Sequence, residues 1–194
     1  MPAGGTPVPH GFTFSDDFST DKLGVQWSLF RAGGETPASV RIEDNALRLQ
    51  TRGSSPKVGA ILAFIAGDHD YEMQVEVDSD TEATAGLLVH YSERLFAGLG
   101  FSDQQILEYG KGDTTAFPKP LHFGRRFFLR LRNANNVMTT WPSADGKEWK
   151  RHWIQFEVSG YHHNVAGAFL SLRPALFAAG QGTVCFRDFR YSVL

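Results

Sequence analysis

Tyr71 to Asp78 reads YEMQVEVD. Tyr71, Met73, Val75 and Val77 share one parity, and Glu72, Gln74, Glu76 and Asp78 share the other. Strict period two with one polar face predicts a half-buried β-strand. The same rule extends outward. Ala46 to Gln50 (ALRLQ) points Leu47 and Leu49 inward, and Phe127 to Arg132 (FFLRLR) points Leu129 and Leu131 in and Arg130 and Arg132 out. Gly59 to Ile65 and Ala85 to Tyr91 are mostly apolar runs, as expected of central strands. Turn signals recur about every 8 to 12 residues, as in a sandwich or barrel. They include Glu43-Asp44-Asn45, Gly53-Ser54-Ser55-Pro56, Asn133-Ala134-Asn135-Asn136 and Asp145-Gly146. No segment shows helical spacing with caps, and there is no internal repeat. Roughly a dozen strands predict an all-β chain folded as a two-sheet antiparallel β-sandwich.

Composition agrees with one domain. The chain has 194 residues, 42% of them hydrophobic, with a formal charge of -2. That balance gives no basic footprint for nucleic acid, and no run of about 18 apolar residues suggests a membrane span. The single cysteine, Cys185, excludes an internal disulfide and reads as a small, inert core residue. Residues 1–11 (MPAGGTPVPHG) lack the apolar core of a signal peptide and read as a Pro/Gly linker or cut edge. Residues 12–194 form the predicted sandwich.

Both ends carry a carboxylate at an apolar position. In FTFSDDF, Asp16 shares parity with Phe12, Phe14 and Phe18; in VCFRDF, Asp188 shares parity with Val184 and Phe186. A buried carboxylate needs a cation, an arginine or backbone donors. If the terminal strands lie side by side, Asp16 and Asp188 could share one structural calcium ion, a hard cation that prefers oxygen ligands. The alternative is a bulge that turns each Asp to solvent or to a turn amide.

Aromatic and polar groups crowd the last third of the chain. Trp141, Trp149 and Trp153, with Tyr161 shortly after, are candidates for stacking on pyranose rings while polar neighbours bond the hydroxyls. Packing under the Asp145-Gly146 turn is the competing role for Trp149. Tyr161-His162-His163-Asn164, with Arg173, is the sharpest polar cluster, suited either to sugar hydroxyls or to pinning a turn. On a strand, His162 and His163 would point to opposite faces and would not chelate one ion. Glu76-Val77-Asp78-Ser79-Asp80 places acids on one face, roughly 6.5–7 Å apart at i and i+2, a spacing compatible with glycosidic chemistry. The alternation of Tyr71 to Val77 explains them as a solvated face instead. The basic residues Arg125, Arg126, Arg130 and Arg132 read as solvated or salt-bridged.

Four motifs in chain order resemble a known family. They are Phe14-Ser15-Asp16-Asp17-Phe18 with Leu23-Gly24 and Trp27; Ala85-Gly86-Leu87-Leu88-Val89-His90-Tyr91; Ser143-Ala144-Asp145-Gly146-Lys147-Glu148-Trp149; and Gly180-Gln181-Gly182 leading to Phe186-Arg187-Asp188-Phe189-Arg190-Tyr191. Together they resemble the C-terminal β-sandwich of family 43 glycoside hydrolases, the β-xylosidase and arabinofuranosidase group. The resemblance implies a concanavalin A-like jelly roll that is also classed as a xylan-binding module. The catalytic five-bladed propeller of that family is missing from this chain. What the resemblance implies is therefore a non-catalytic accessory module that binds xylan or xylo-oligosaccharides, or one that completes the pocket of a partner glycoside hydrolase catalytic domain. It also implies a loop reaching toward that pocket, here Lys111 to Phe123 (KGDTTAFPKPLHF), with Phe117 and His122 as its tips.

Overall fold

Among the described residues, fourteen strands alternate with tight turns. The computed structural model describes residues 14–30, 39–120, 122–166 and 171–194. The expected linker, residues 1–11, and Phe12 lie outside them. In chain order the strands are Ser28–Phe30 (β1), Val40–Glu43 (β2), Ala46–Gln50 (β3), Ala60–Ala63 (β4), Tyr71–Ser79 (β5), Ala83–Ser92 (β6) and Leu95–Phe101 (β7). Gln105–Gly110 (β8), Asp113–Pro118 (β9), Arg126–Ala134 (β10), Val137–Ser143 (β11), Gln155–Glu157 (β12), Arg173–Gly180 (β13) and Thr183–Val193 (β14) complete them. A single turn of helix, His163–Ala166 (α1), precedes β13.

The strands form two antiparallel sheets of seven, ordered β1-β4-β13-β6-β7-β8-β9 and β12-β11-β10-β5-β14-β3-β2. This is the expected β-sandwich, of jelly-roll type. β5 lies in the middle of the second sheet, between β10 and β14. Its apolar parity is fully buried, from Tyr71 and Met73 to Val77. Those residues meet Leu87, Val89, Leu99 and Leu176 of the first sheet in one core. The polar parity of β5 forms a cross-strand ladder on the outer face. Arg126 pairs with Glu76 at 2.8 Å, and Arg132 with Glu72 at 2.9 Å. Arg125 pairs with Asp80 at 2.8 Å. The acid run is thus held by arginines, as its alternation implied. Cys185 is buried, but on this outer parity beside Asp78 rather than in the core.

The hairpin turns follow their residue types. Asp44 and Asn45 adopt φ of 54° and 52° between β2 and β3, and Asn135 and Asn136 adopt 51° and 59° between β10 and β11. Both pairs are left-handed at both central positions, as primed turns require, and Asn and Asp tolerate that region best among residues with a side chain.

The terminal segments do lie together. Asp16 N–H donates to Phe189 O at 2.9 Å, and Phe189 N–H to Asp16 O at 3.0 Å. A β-bulge between Arg187 and Arg190 changes the parity of β14 at that point. Asp188 takes φ of 48°. It turns outward and pairs with Arg190 at 2.6 Å, while Phe189 fills the interior position. Asp16 accepts from Phe18 N–H and from the Trp27 indole, each at 2.9 Å. The two carboxylates therefore have separate partners: an arginine for one, and backbone and indole donors for the other. Among the described residues no group of three or more His, Cys, Asp or Glu side chains could hold a metal ion.

Candidate functional site

A cleft lined by aromatic and charged side chains forms where the free edges of the two sheets approach each other. After β11, Ser143 to Glu148 make a tight turn. The Ser143 hydroxyl accepts from Gly146 N–H at 2.9 Å, and Asp145 accepts from the N–H groups of Glu148 and Lys147 at 2.9 and 2.8 Å. Those donors, with the Ser143 hydroxyl, hold the Asp145 carboxyl below its usual range. The chain then returns along β11, with Lys150 N–H bonding Pro142 O at 3.2 Å and His152 N–H bonding Thr140 O at 2.8 Å. This segment thus extends β12 along the edge of its sheet. Its alternation turns His152 inward and leaves Trp153 outside.

Across the gap stands β8. Glu108 is on its inner parity beside Ile106, and its Oε2 lies 2.8 Å from His152 Nε2. Both side chains are buried, at 5% and 7% exposure. This carboxylate–imidazole contact links the two sheets beneath the cleft. Farther along β8, Gly110 meets Phe156 of β12, with no room between them for a β-carbon. On β9, Phe117 stands edge-on to His152 at 5.8 Å and to Trp153 at 5.6 Å.

The result is a cleft of about 550 Å³, within the range of small-molecule sites, lined by Phe117, His122, Trp149, His152 and Trp153 among others. Trp153 is 75% exposed, a large aromatic surface open to solvent at the cleft. Trp149 contributes to the lining, and its ring also carries the Arg130 guanidinium 4.1 Å from its centroid. Exposed charges of both signs, Asp145, Glu148, Lys150 and Arg151, surround the aromatic part. An aromatic plane ringed by hydrogen-bonding groups can take a sugar ring by its C–H face and its hydroxyls together.

The structure brings four of the expected residues to this cleft: Trp149, Trp153, Phe117 and His122. The others sit elsewhere. Trp141 is half-buried on the outer face of the second sheet, with the Arg132 guanidinium 5.7 Å from its ring. Tyr161 is 5% exposed, and its hydroxyl accepts from Lys111 N–H at 2.8 Å, clamping the β8–β9 turn. His162 precedes α1; His163 and Asn164 lie in it and are exposed, so the pair is not on a strand at all. Arg173 lies opposite His90 across β13 and β6, not beside Tyr161. Asp16 and Asp188 serve the joined termini. Glu108 and His152 went unrecognised in the sequence. An acid on the apolar parity of Ile106, and a histidine next to Trp153, were the available signals.

The family model described as the beta xylosidase C-terminal concanavalin A-like domain matches residues 15–192. No curated protein matches the chain. Among solved structures it is similar to a family 43 glycoside hydrolase protein from Bacillus licheniformis, at 19% identity and TM-score 0.76, over 93% of this chain and 39% of that one. A xylan beta-1,4-xylosidase from Bacillus halodurans C-125 gives 20% identity and TM-score 0.73, over 92% and 38%. A family 43 protein from a xyloglucan locus of Bacteroides ovatus gives 18% and 0.77, over 94% and 40%. At these identities the structural likeness speaks for the fold. The chain spans about two fifths of the length of these proteins.

Proposed function

Since the chain belongs to the family of concanavalin A-like C-terminal domains of β-xylosidases, we propose that it is a non-catalytic carbohydrate-binding module for xylan or xylo-oligosaccharides. The observation that carries this reading is Trp153, 75% exposed in a cleft with Phe117, Trp149 and His122. An aromatic face open to solvent within a concave site can stack on a pyranose ring while the polar rim meets its hydroxyls. The acids that might have served hydrolysis, Glu76 and Asp80, are engaged by arginines on the opposite side of the second sheet from the core. The test is affinity electrophoresis of the chain through gels containing xylan. Retardation is expected; free migration in xylan and in every other plant polysaccharide tried would sink the reading.

A second reading has its own support. The chain spans only about two fifths of its structural relatives, and Phe117 and His122 line the mouth of the cleft. In that reading the module completes the pocket of an adjoining glycoside hydrolase catalytic domain and binds little sugar alone. Adding the chain to a separately produced catalytic domain and recovering activity, with no retardation in xylan, would favour it.

A further inference from the structure

Beneath the cleft, the Glu108–His152 contact leaves one imidazole nitrogen uncommitted. His152 lines the cleft although it is only 8% exposed, and Glu108 lies below it, outside the lining. Nε2 of the ring is taken by Glu108 Oε2 at 2.8 Å. Nδ1 has no hydrogen-bond partner among the described residues. It is also not one of the unpaired side-chain atoms sealed inside the structure, as His90 Nε2 is. The small exposed part of the ring therefore includes Nδ1, on the side where the residue meets the cleft. The ring is held in that position. His152 N–H bonds Thr140 O at 2.8 Å, Phe117 stands edge-on at 5.8 Å, and the Trp153 ring is 6.0 Å away at 45°.

The chemistry of the contact decides what Nδ1 does. A carboxylate accepts hydrogen bonds and does not donate them, so Nε2 carries the proton and Nδ1 of the neutral ring is an acceptor. The other polar side chains of the lining are committed or peripheral. Ser143 and Asp145 serve their own turn. Arg151 donates to Gln155 at 2.6 Å, and His122, Glu148 and Lys150 stand exposed at the rim. The Trp149 and Trp153 indoles can only donate, and Ile106, Phe117, Phe123 and the prolines between them make the remainder apolar. An acceptor set in an apolar floor beside an open aromatic face calls for a hydroxyl, which brings a proton; an ionised carboxylate brings none. We propose that His152 is a specificity-determining residue of the cleft: Nδ1 accepts a hydrogen bond from a hydroxyl of the sugar stacked on Trp153, and Glu108 fixes the tautomer that makes it an acceptor. This rests on the function proposed above and adds to it the side chain that reads the sugar.

The test is a long-range proton–nitrogen NMR spectrum of the histidine rings of the full chain at pH 7, before and after addition of xylohexaose. The free chain is expected to show the His152 proton on Nε2 and a bare Nδ1. Xylohexaose should shift Nδ1 together with the Trp153 indole signal and leave the His90 nitrogens, on the outer face of the first sheet, in place. A proton on Nδ1 in the free chain would overturn the inference. A motionless Nδ1 while the indole responds would also overturn it and leave the cleft reading standing; if neither moves, both fall. The partner experiment is Glu108→Leu/His152→Leu, which removes both halves of the buried contact and so leaves neither unmet. It should keep the melting temperature within a few degrees and weaken xylohexaose binding about fivefold, the worth of one hydrogen bond, with the indole still responding. Parent-like affinity in the folded double variant would overturn the inference. Should that variant not fold, the ring-nitrogen spectrum of the parent chain decides alone.

Discussion

His90 projects from β6 onto the outer face of the first sheet, 1% exposed, with Phe30 edge-on at 4.7 Å. Burial, and then the Arg173 charge opposite, lower its pKa from the ordinary 6.5 to about 4. The unfolded chain therefore binds a proton on this residue near pH 6.5, while the folded chain resists it until about pH 4. Between those values acid favours unfolding, and the penalty should accumulate to about 3 kcal/mol. Denaturant titrations at pH 7 and pH 4 should show that loss for the parent chain and a smaller loss for His90→Phe. Equal losses would contradict the assignment. Asp188 gives a second prediction at this scale. Its φ of 48° is strained for a residue with a β-carbon, and its partner Arg190 is exposed. Asp188→Gly should raise stability slightly, by up to about 1 kcal/mol, equally with calcium or EDTA. A calcium-dependent fall in melting temperature would instead place Asp188 at a shared cation.

Glycines show how the strands pack as elements. In β6, a β-carbon on Gly86 would clash with the backbone oxygen of Leu99 in β7, with Gly100 and the Phe177 ring also in the way. In β8, a β-carbon on Gly110 would meet only the ring of Phe156, which is half-buried and can turn. Chemical denaturation should therefore rank Gly86→Ala, at about 3 kcal/mol, well above Gly110→Ala, at about 1 kcal/mol. The reverse order would mean that the β8–β12 contact is the stiffer one. Such contacts are not visible in sequence, whereas strands with one wet face are. The alternation of Tyr71 to Val77 and of Phe127 to Arg132 gave β5 and β10 to within a residue or two of their ends, because side chains alternate faces whatever the neighbours are. Asp188 marks where alternation stops being a guide, as the bulge alternative allows. The parity rule holds only while the ladder is regular, and the bulge after Arg187 inserts one residue. The strand geometry considered for His162 and His163 does not apply, because they lie at a turn and a single helical turn too short to leave a periodic signal. At the cleft, the tryptophans and Phe117 were legible as residue types, although Phe117 lies on strand β9 rather than at a loop tip. Which tryptophan would be open was decided by strand pairing: Trp153 points away from the interior that His152 enters, while Trp149 lies against Arg130.

At the scale of the molecule, two sheets built on a largely apolar interior leave most of their chemistry to edges and ends. The buried Glu108–His152 contact ties the sheet edges together under the cleft, and a polar depression occupies the other end of the β10–β11 hairpin. A binding module is expected to lack turnover, so the purified chain should release no aryl group from aryl β-xylosides or α-arabinofuranosides. Hydrolysis that survives exhaustive purification and disappears in Glu76→Gln would reverse that expectation. The central claim is that the open Trp153 face binds neutral plant saccharides. Isothermal calorimetry of the full chain with xylohexaose tests it most directly, with Trp153→Ala as the partner experiment. Binding is predicted for the parent chain. In Trp153→Ala it should weaken roughly tenfold, the loss of about 1.4 kcal/mol of stacking, with the melting temperature unchanged because the side chain is 75% exposed. Equal affinity in the two proteins, or no heat from either, would contradict the account.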